Sequence, residues 1–212
     1  KIKGVLPIAP TIQGGYSSFT RLRKNLSKLM RSLGLNETRT HTLVSEEEYS
    51  KFQYYNKELV KIEKPLSMDK IICRQSIIPS LLNVIDYNTA RGIEDIMIYE
   101  ISNVYSMDEE QTKLAVALKG NMISNKWNNI QVKADFYYIK GILEEIFEYL
   151  GLSNRYFIKV TDSLPKEMHP YMSAEVFVDN ETVGYFGKVH PKEAKDVYVL
   201  ELNLNKLYSK KV

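Results

Sequence analysis

Two carboxylates sit in the middle of strand-like runs: Glu100 between Tyr99 and Ile101, and Glu201 inside VLELNL. An ionised carboxylate is costly there unless it is paired. Each therefore predicts an Arg or Lys partner, or a polar sheet face that serves as a site or an interface. The three histidines, His41, His169 and His190, form no HxxxH or HxH pair, so they lack metal-ligand spacing. His169-Pro170 and His190-Pro191 are similar dipeptides at the two ends of a hairpin region. Proline holds the residue before it extended. A histidine so placed fixes a loop by a ring hydrogen bond as readily as it catalyses, and no catalytic partner stands beside either. Cys73 lies in IICRQSII, where a thiol packed as a small hydrophobe is the simpler reading than a nucleophile. Asp108-Glu109-Glu110 reads as a solvated turn before it reads as a metal site. Lys140, in DFYYIKG, is a functional lysine or a surface one that snorkels. Trp127, beside Lys126, Asn128 and Asn129, suits base stacking or loop anchoring equally. No GxGxxG or GxxxxGK[ST] run occurs, so a phosphate-cradling loop is absent. The two glycines of Gly184-Tyr185-Phe186-Gly187 sit in a strand pattern, where glycine admits a close backbone or a bulge more often than a phosphate.

The elements that must position these residues follow from periodicity. Residues 1–16, with Pro7, Pro10 and Gly14-Gly15, read as an extended lead-in. The remainder, 17–212, reads as one core domain. Ser17 or Ser18 caps a helix to about Leu33, with Phe19, Leu22, Leu26, Leu29, Met30 and Leu33 on one face. Gly34 ends it. Arg39 to Val44 predicts a strand. Ser45-Glu46-Glu47-Glu48 is a capping-box signature for a short helix. Pro65 breaks the chain. Pro79 marks a first helical position before Leu81, Leu82, Val84 and Ile85, and Gly92 closes that helix. Ile96 to Tyr105 and Lys113 to Lys119 read as strands. Asp135 caps a helix to Leu150, and Gly151 ends it. Tyr156 to Thr161, Ala174 to Val178, Thr182 to Val189 and Val197 to Leu204 complete the strands, with a turn at Asp179-Asn180. Strand follows strand at turn-like spacing, and helices are grouped between them. That predicts an α+β fold, an antiparallel β-sheet flanked by helices, over a parallel βαβ sheet.

The chain has 212 residues, 44% hydrophobic and 26% charged, enough to bury a core in one large or two small domains. One cysteine excludes an internal disulfide framework and a multi-cysteine zinc site, and suits a reducing compartment. No run of eighteen apolar residues exists, so no transmembrane helix is expected. The net charge of +3 conceals an asymmetry: residues 1–40 hold eight basic side chains against Glu37 alone, a local +7, and the rest carries −4. Arg21, Arg23, Lys24, Lys28 and Arg31 fall in the first helix, which suggests an anionic neighbour or a solvated face.

Taken in serial order, KPLS (64–67), CRQSIIPSLL (73–82), Tyr87-Asn88, IYEISNVY (98–105), Trp127, DFYYIKG (135–141), HPYMSA (169–174), VGYFGKVHP (183–191) and VYVLELNL (197–204) resemble the β chain of bacterial phenylalanyl-tRNA synthetase. The likeness is to the catalytic-like module late in that chain and runs from about Pro7 to the end. Its motif positions here are Arg74, Pro79, Asn88, Glu100, Asp135, Lys140, Gly141, His169, Pro170, Gly184, Gly187, His190, Pro191 and Glu201. Lys64, Cys73 and Ser102 depart from the expected Asn, Leu and Gly.

The resemblance implies a class II synthetase fold in a cytoplasmic assembly of two α and two β chains. That assembly joins phenylalanine to its tRNA using ATP and Mg. The α chain holds the active site, and the β module packs against it without catalysing. The chain then reads as an excised domain whose partners are the α subunit and the tRNA, with no membrane and no cofactor or metal of its own. Class II enzymes place an arginine on the ATP α-phosphate, where negative charge builds. Here Tyr105 is followed by Ser106 and Met107, and VYVLELNLNKL has neither glycine nor arginine. Both electrostatic anchors of the family's active site are missing, and no catalytic residue is expected. The first helix resembles the interface helix of the first class II motif. Its basic residues are candidates for contact with the tRNA or a subunit. An independent RNA-binding module and a self-sufficient amino-acid-activating enzyme are the alternatives. A pocket is expected beside Tyr99, Ile101 and Glu201.

Overall fold

A computed structural model of the chain describes residues 3–5, 8, 13–54, 57–125 and 127–210. Pro7, Pro10 and Lys126, used in the sequence reading, lie outside the described residues. Helix α1 spans Ser18–Ser32, and the Ser17 side chain accepts a hydrogen bond from the Thr20 amide. Leu22, Leu26 and Met30 make its buried stripe. Gly34 then adopts φ +88°, the left-handed turn that ends such helices.

The strand expected at 39–44 is shorter than its composition suggests. Only Leu43–Val44 (β2) is paired, with Ile72–Cys73 (β3). A two-residue strand, Asn36–Glu37 (β1), precedes it and pairs parallel to Ile96–Tyr105 (β4). Its residues are polar and not β-branched, so nothing in their type announces a strand. Helix α2 is Glu46–Tyr49, and Ser45 caps it by accepting from the Glu48 amide. The other half of the capping box is not made with Ser45. The Glu48 carboxylate instead accepts from the Ser80 hydroxyl of α3 (Ile78–Thr89) at 2.6 Å. Pro79 is the second residue of α3, not the first.

The remaining elements are β5 (Glu110–Lys119), β6 (Asn121–Asn125), β7 (Ile130–Lys133), α4 (Phe136–Tyr149), β8 (Tyr156–Lys159), β9 (Met168–Val178), β10 (Glu181–Val189), β11 (Val197–Asn203) and α5 (Leu204–Lys210). The β6–β7 hairpin and α5 carry short, polar or mixed patterns that the sequence does not resolve. Seven strands form the main sheet in the order β1-β4-β5-β11-β10-β9-β8. Every pairing in it is antiparallel except β1–β4. The sheet is therefore mixed at one edge, where the expectation was a purely antiparallel one.

Both faces of the sheet are covered. Leu114, Val116 and Leu118 of β5 point to one side, into a core shared with α1, α4 and α5. Ala115 and Ala117 point to the other, beneath α3 and Phe52. The alternation in KLAVALK thus divides large from small apolar residues, not core from solvent.

Candidate functional site

The register places Glu100 opposite Ala115, Ala115 opposite Glu201, Glu201 opposite Tyr185, and Tyr185 opposite Glu175. Side chains directly opposite across a ladder share a face, so three carboxylates and a tyrosine line up across the middle of the sheet. Tyr99, Ile101 and Leu202 point the other way, into the α1 and α4 core. The pocket expected beside Tyr99, Ile101 and Glu201 therefore does not form, because a step of one residue along a strand changes faces.

The row is closed over by residues 52–54 and 74–77. Arg74 donates to Glu100 at 2.6 Å with both side chains 2% exposed. Its second terminal nitrogen donates to the Thr40 hydroxyl, and that hydroxyl donates to the other Glu100 oxygen at 2.7 Å. Lys113 donates to Glu201 at 2.8 Å and to the Gln75 carbonyl at 2.8 Å. The remaining Glu201 oxygen accepts from Ser76 Oγ at 2.9 Å and from the Ile77 amide at 2.7 Å. Tyr54 donates to Glu175 and lays its ring 5.0 Å from that of Tyr185. Glu167 accepts from the Phe52 amide at 3.1 Å. Burial, helped by the charge of Glu201, pushes the Tyr185 hydroxyl well above its ordinary value.

Over the carboxylate row itself the space that remains is small, and the open pocket of about 300 Å³ beside Met168, Ser173 and His190 lies toward the end of the sheet. About 20 Å³ lies beside Gln75, Tyr105 and Lys113, and about 10 Å³ beside Tyr54, Tyr185 and Asn203. Each holds about one water and no nucleotide. The β4–β5 turn, where the class II arginine would stand, is tied down: Ser106 and Glu109 bond each other through backbone and hydroxyl, and Glu109 pairs with Lys57. Among the described residues, both buried cations of this face, Arg74 and Lys113, are held by carboxylates.

The two His-Pro dipeptides act alike. Nδ1 of His169 accepts from the Tyr171 amide at 3.2 Å, and Nδ1 of His190 accepts from the Lys192 amide at 3.2 Å. Each ring spans its proline and fixes the next amide. His169 and Pro170 lie inside β9, which begins six residues earlier than the sequence pattern indicates. Pro170 and Pro191 are exposed. Gly184 and Gly187 fulfil the close-approach reading: a Cβ on Gly184 would collide with the Glu201 carbonyl oxygen, and one on Gly187 with the Met172 carbonyl and Ser173. Asp135 caps α4 by accepting from the Tyr138 amide at 2.7 Å. Lys140 pairs with Glu144 one turn on at 2.5 Å, a surface contact. Asn88 donates to the Val84 carbonyl at 2.8 Å. Cys73 is half-buried, and burial raises its thiol, the opposite of what a nucleophile needs. Gly141 has open space where a Cβ would stand, and nothing in the structure explains it.

The basic residues of α1 form the second candidate. Arg23, Lys24, Lys28 and Arg31 line an open groove of about 400 Å³, with Thr20, Ser27, Glu37, Arg39 and Ile101. Arg21 is exposed on the same helix but off the groove. Sequence reasoning missed Arg39 here, which lies in the segment expected to be strand. It also missed Lys113 as the partner of Glu201. The signal for the latter was parity: Lys113 alternates with Leu114 and shares the small-residue face of Ala115 and Ala117.

Comparisons with known proteins agree with this geometry. Residues 2–204 match the family described as "Phenylalanyl tRNA synthetase beta chain CLM domain". The phenylalanine–tRNA ligase beta subunit of Geobacillus kaustophilus (strain HTA426) is 31% identical over 98% of this chain and 27% of its own length. That of Aster yellows witches'-broom phytoplasma (strain AYWB) is 35% identical over 86% of this chain and 22% of its own. The chain thus spans about a quarter of the length of the curated relatives it matches. Among solved structures, a pyrrolysyl-tRNA synthetase of Desulfitobacterium hafniense aligns with a TM-score of 0.67 at 14% identity, over 91% of this chain and 68% of that one. That is a likeness of fold, the class II synthetase architecture.

Proposed function

The chain belongs to the phenylalanyl-tRNA synthetase β-chain CLM family, and from that premise we propose that it is a non-catalytic core module that supports the joining of phenylalanine to its tRNA by docking a catalytic α chain. The observation that carries the non-catalytic part is the filled sheet face. A class II active site needs an open floor and cations free to meet the ATP phosphates. Here the floor is covered by Phe52, Tyr54 and Arg74, and the two buried cations are consumed by Glu100 and Glu201. Introducing a triphosphate would set it beside Glu100, Glu175 and Glu201, a repulsive arrangement at any reasonable dielectric. ATP and Mg then belong to the partner chain's site in the assembled enzyme.

Apolar side chains left exposed among the described residues support a role in contact with another chain. The β6–β7 hairpin puts Ile123 opposite Val132 on one face, with Ile130 beside them and Trp127 at the tip 96% exposed.

Two measurements test the reading. The chain alone should show no phenylalanine-dependent exchange of pyrophosphate into ATP above background. Mixed with the α chain at micromolar concentration, it should sediment as a complex heavier than either part. Exchange by the chain alone overturns the non-catalytic assignment. Two unassociated species overturn the docking assignment.

A further inference from the structure

Tyr185 of β10 stands opposite Glu201 of β11, and Asn203 lies two residues further along β11 on the same face. The Tyr185 hydroxyl has no hydrogen-bond partner among the described residues, and neither has Asn203 Nδ2. Both residues are buried, at 1% and 2% exposure. The Asn203 amide cannot be turned over to hide its donor. Its Oδ1 accepts from the Lys206 amide at 3.1 Å and caps α5, which fixes Nδ2 as the unpaired end. The Ser76 hydroxyl is engaged as well: it donates to Glu201 at 2.9 Å and accepts from the Ile78 amide at 3.2 Å. Buried polar atoms without partners are costly, and folded proteins keep few of them. Two of them on one cavity call for a shared partner.

We propose that the cavity of about 10 Å³ bordered by Tyr185, Asn203 and Glu201 is a binding site for one internal water molecule, held by the Tyr185 hydroxyl and Asn203 Nδ2. The volume admits one water and nothing larger. Asn203 Nδ2 only donates, so the guest must accept there. Burial keeps the Tyr185 hydroxyl protonated, so it can donate or accept. A cation in the cavity would face the Asn203 donor and the Lys113 ammonium, and an anion would face the Glu201 carboxylate. A neutral molecule that donates and accepts through one atom suits every wall. The cavity is also shut: the residues around it are buried, apart from the half-buried Tyr54. The water bridges β10 to the junction of β11 and α5. The seal of the filled face is then made partly by solvent, a role that goes beyond docking and does not depend on it.

The test uses crystals of the enzyme assembled from full-length β and α chains, at a resolution that shows ordered solvent. One spherical density peak is expected within hydrogen-bond distance of both Tyr185 Oη and Asn203 Nδ2, with the height of a water and no anomalous signal. In crystals of the Tyr185→Phe variant the peak should weaken or vanish while the strands keep their register. Hydrogen exchange of the same assembled enzyme in solution supplies the sign. If water satisfies the hydroxyl, Tyr185→Phe removes a working hydrogen bond, and amides of β10 and β11 should exchange about two- to tenfold faster. If the hydroxyl is orphaned, phenylalanine relieves a desolvated group and exchange slows. An absent peak overturns the proposal, as does a direct contact of the Tyr185 hydroxyl with Ser76 or Asn203. A peak of full height in the variant, or exchange that is unchanged or slower, overturns it too. An anomalous signal, or the short oxygen distances of a metal ion, assigns the site to an ion and has the same result. None of these outcomes touches the docking assignment, which the unmodified chains test by themselves.

Discussion

Replacing Glu100 with alanine is expected to lower the stability of the chain by about 3–5 kcal/mol, read from the midpoint and slope of urea unfolding. The variant leaves Arg74 charged at 1% residue exposure with its carboxylate gone. It also strips Thr40 of the acceptor for both its amide, at 3.3 Å, and its hydroxyl. Arg74 and Glu100 are each 1% exposed, so the guanidinium left behind is cut off from bulk solvent. Removing one member of a buried pair is costly for that reason. The pair's net worth is a separate quantity, because both ions were desolvated to make it.

A double-mutant cycle separates the two quantities. Arg74→Met combined with Glu100→Leu removes both charges and keeps most of the volume. The double variant should recover most of the loss and sit within about 1–2 kcal/mol of the parent. Arg74 Nε already lacks a partner in the structure, so the arginine's donors are incompletely satisfied to begin with. A Glu100→Ala loss below about 1 kcal/mol would mean that water or a rearranged Thr40 compensates, and that the face is less closed than its geometry indicates.

The carboxylates were legible in the sequence as a problem but not as a solution. Glu100 and Glu201 in mid-strand demanded partners because an unpaired charge there is expensive, and Arg74 and Lys113 meet that demand. The identity of the partners depended on strand register and on where Arg74 to Ile77 fold back over the sheet, which are set by long-range packing. The same holds for the face on which Glu201 lies. Periodicity gives the two faces of one strand, and only pairing tells which faces of different strands coincide. The helices α1 and α4 were legible to within a residue at both ends, since each has a capping side chain, a stripe and a glycine stop. Strand β1 and helix α5 were not. They are two and seven residues long, and their conformation is imposed by neighbours in the sheet and core. The basic groove was half legible. The helix showed its four cations by spacing, while Arg39 arrives from a segment that reads as strand.

Gly187→Ala is expected to destabilise the chain by about 3–5 kcal/mol. Two independent costs add there. Gly187 has φ +142°, a region that residues with a Cβ rarely occupy. The added carbon would also meet the Met172 carbonyl and the Ser173 backbone of β9, which cannot yield without opening the sheet. Gly184→Ala meets the second cost without the first. Its Cβ would press on the Glu201 carbonyl and on Leu202, while its φ is unstrained. Its expected loss is about 1–3 kcal/mol. Gly141→Ala supplies the contrast. That glycine is helical and faces open space, so alanine should stabilise the chain by about 0.5–1 kcal/mol through helix propensity and a less flexible unfolded state. Thermal unfolding of the three variants should therefore rank Gly141→Ala above the parent, then Gly184→Ala, then Gly187→Ala. A Gly187→Ala chain that melts near the parent would mean that β9 and β10 separate at low cost beside the irregularity between Gly187 and Val189. The register that places Glu175, Tyr185 and Glu201 in one row would then be softer than the filled face requires.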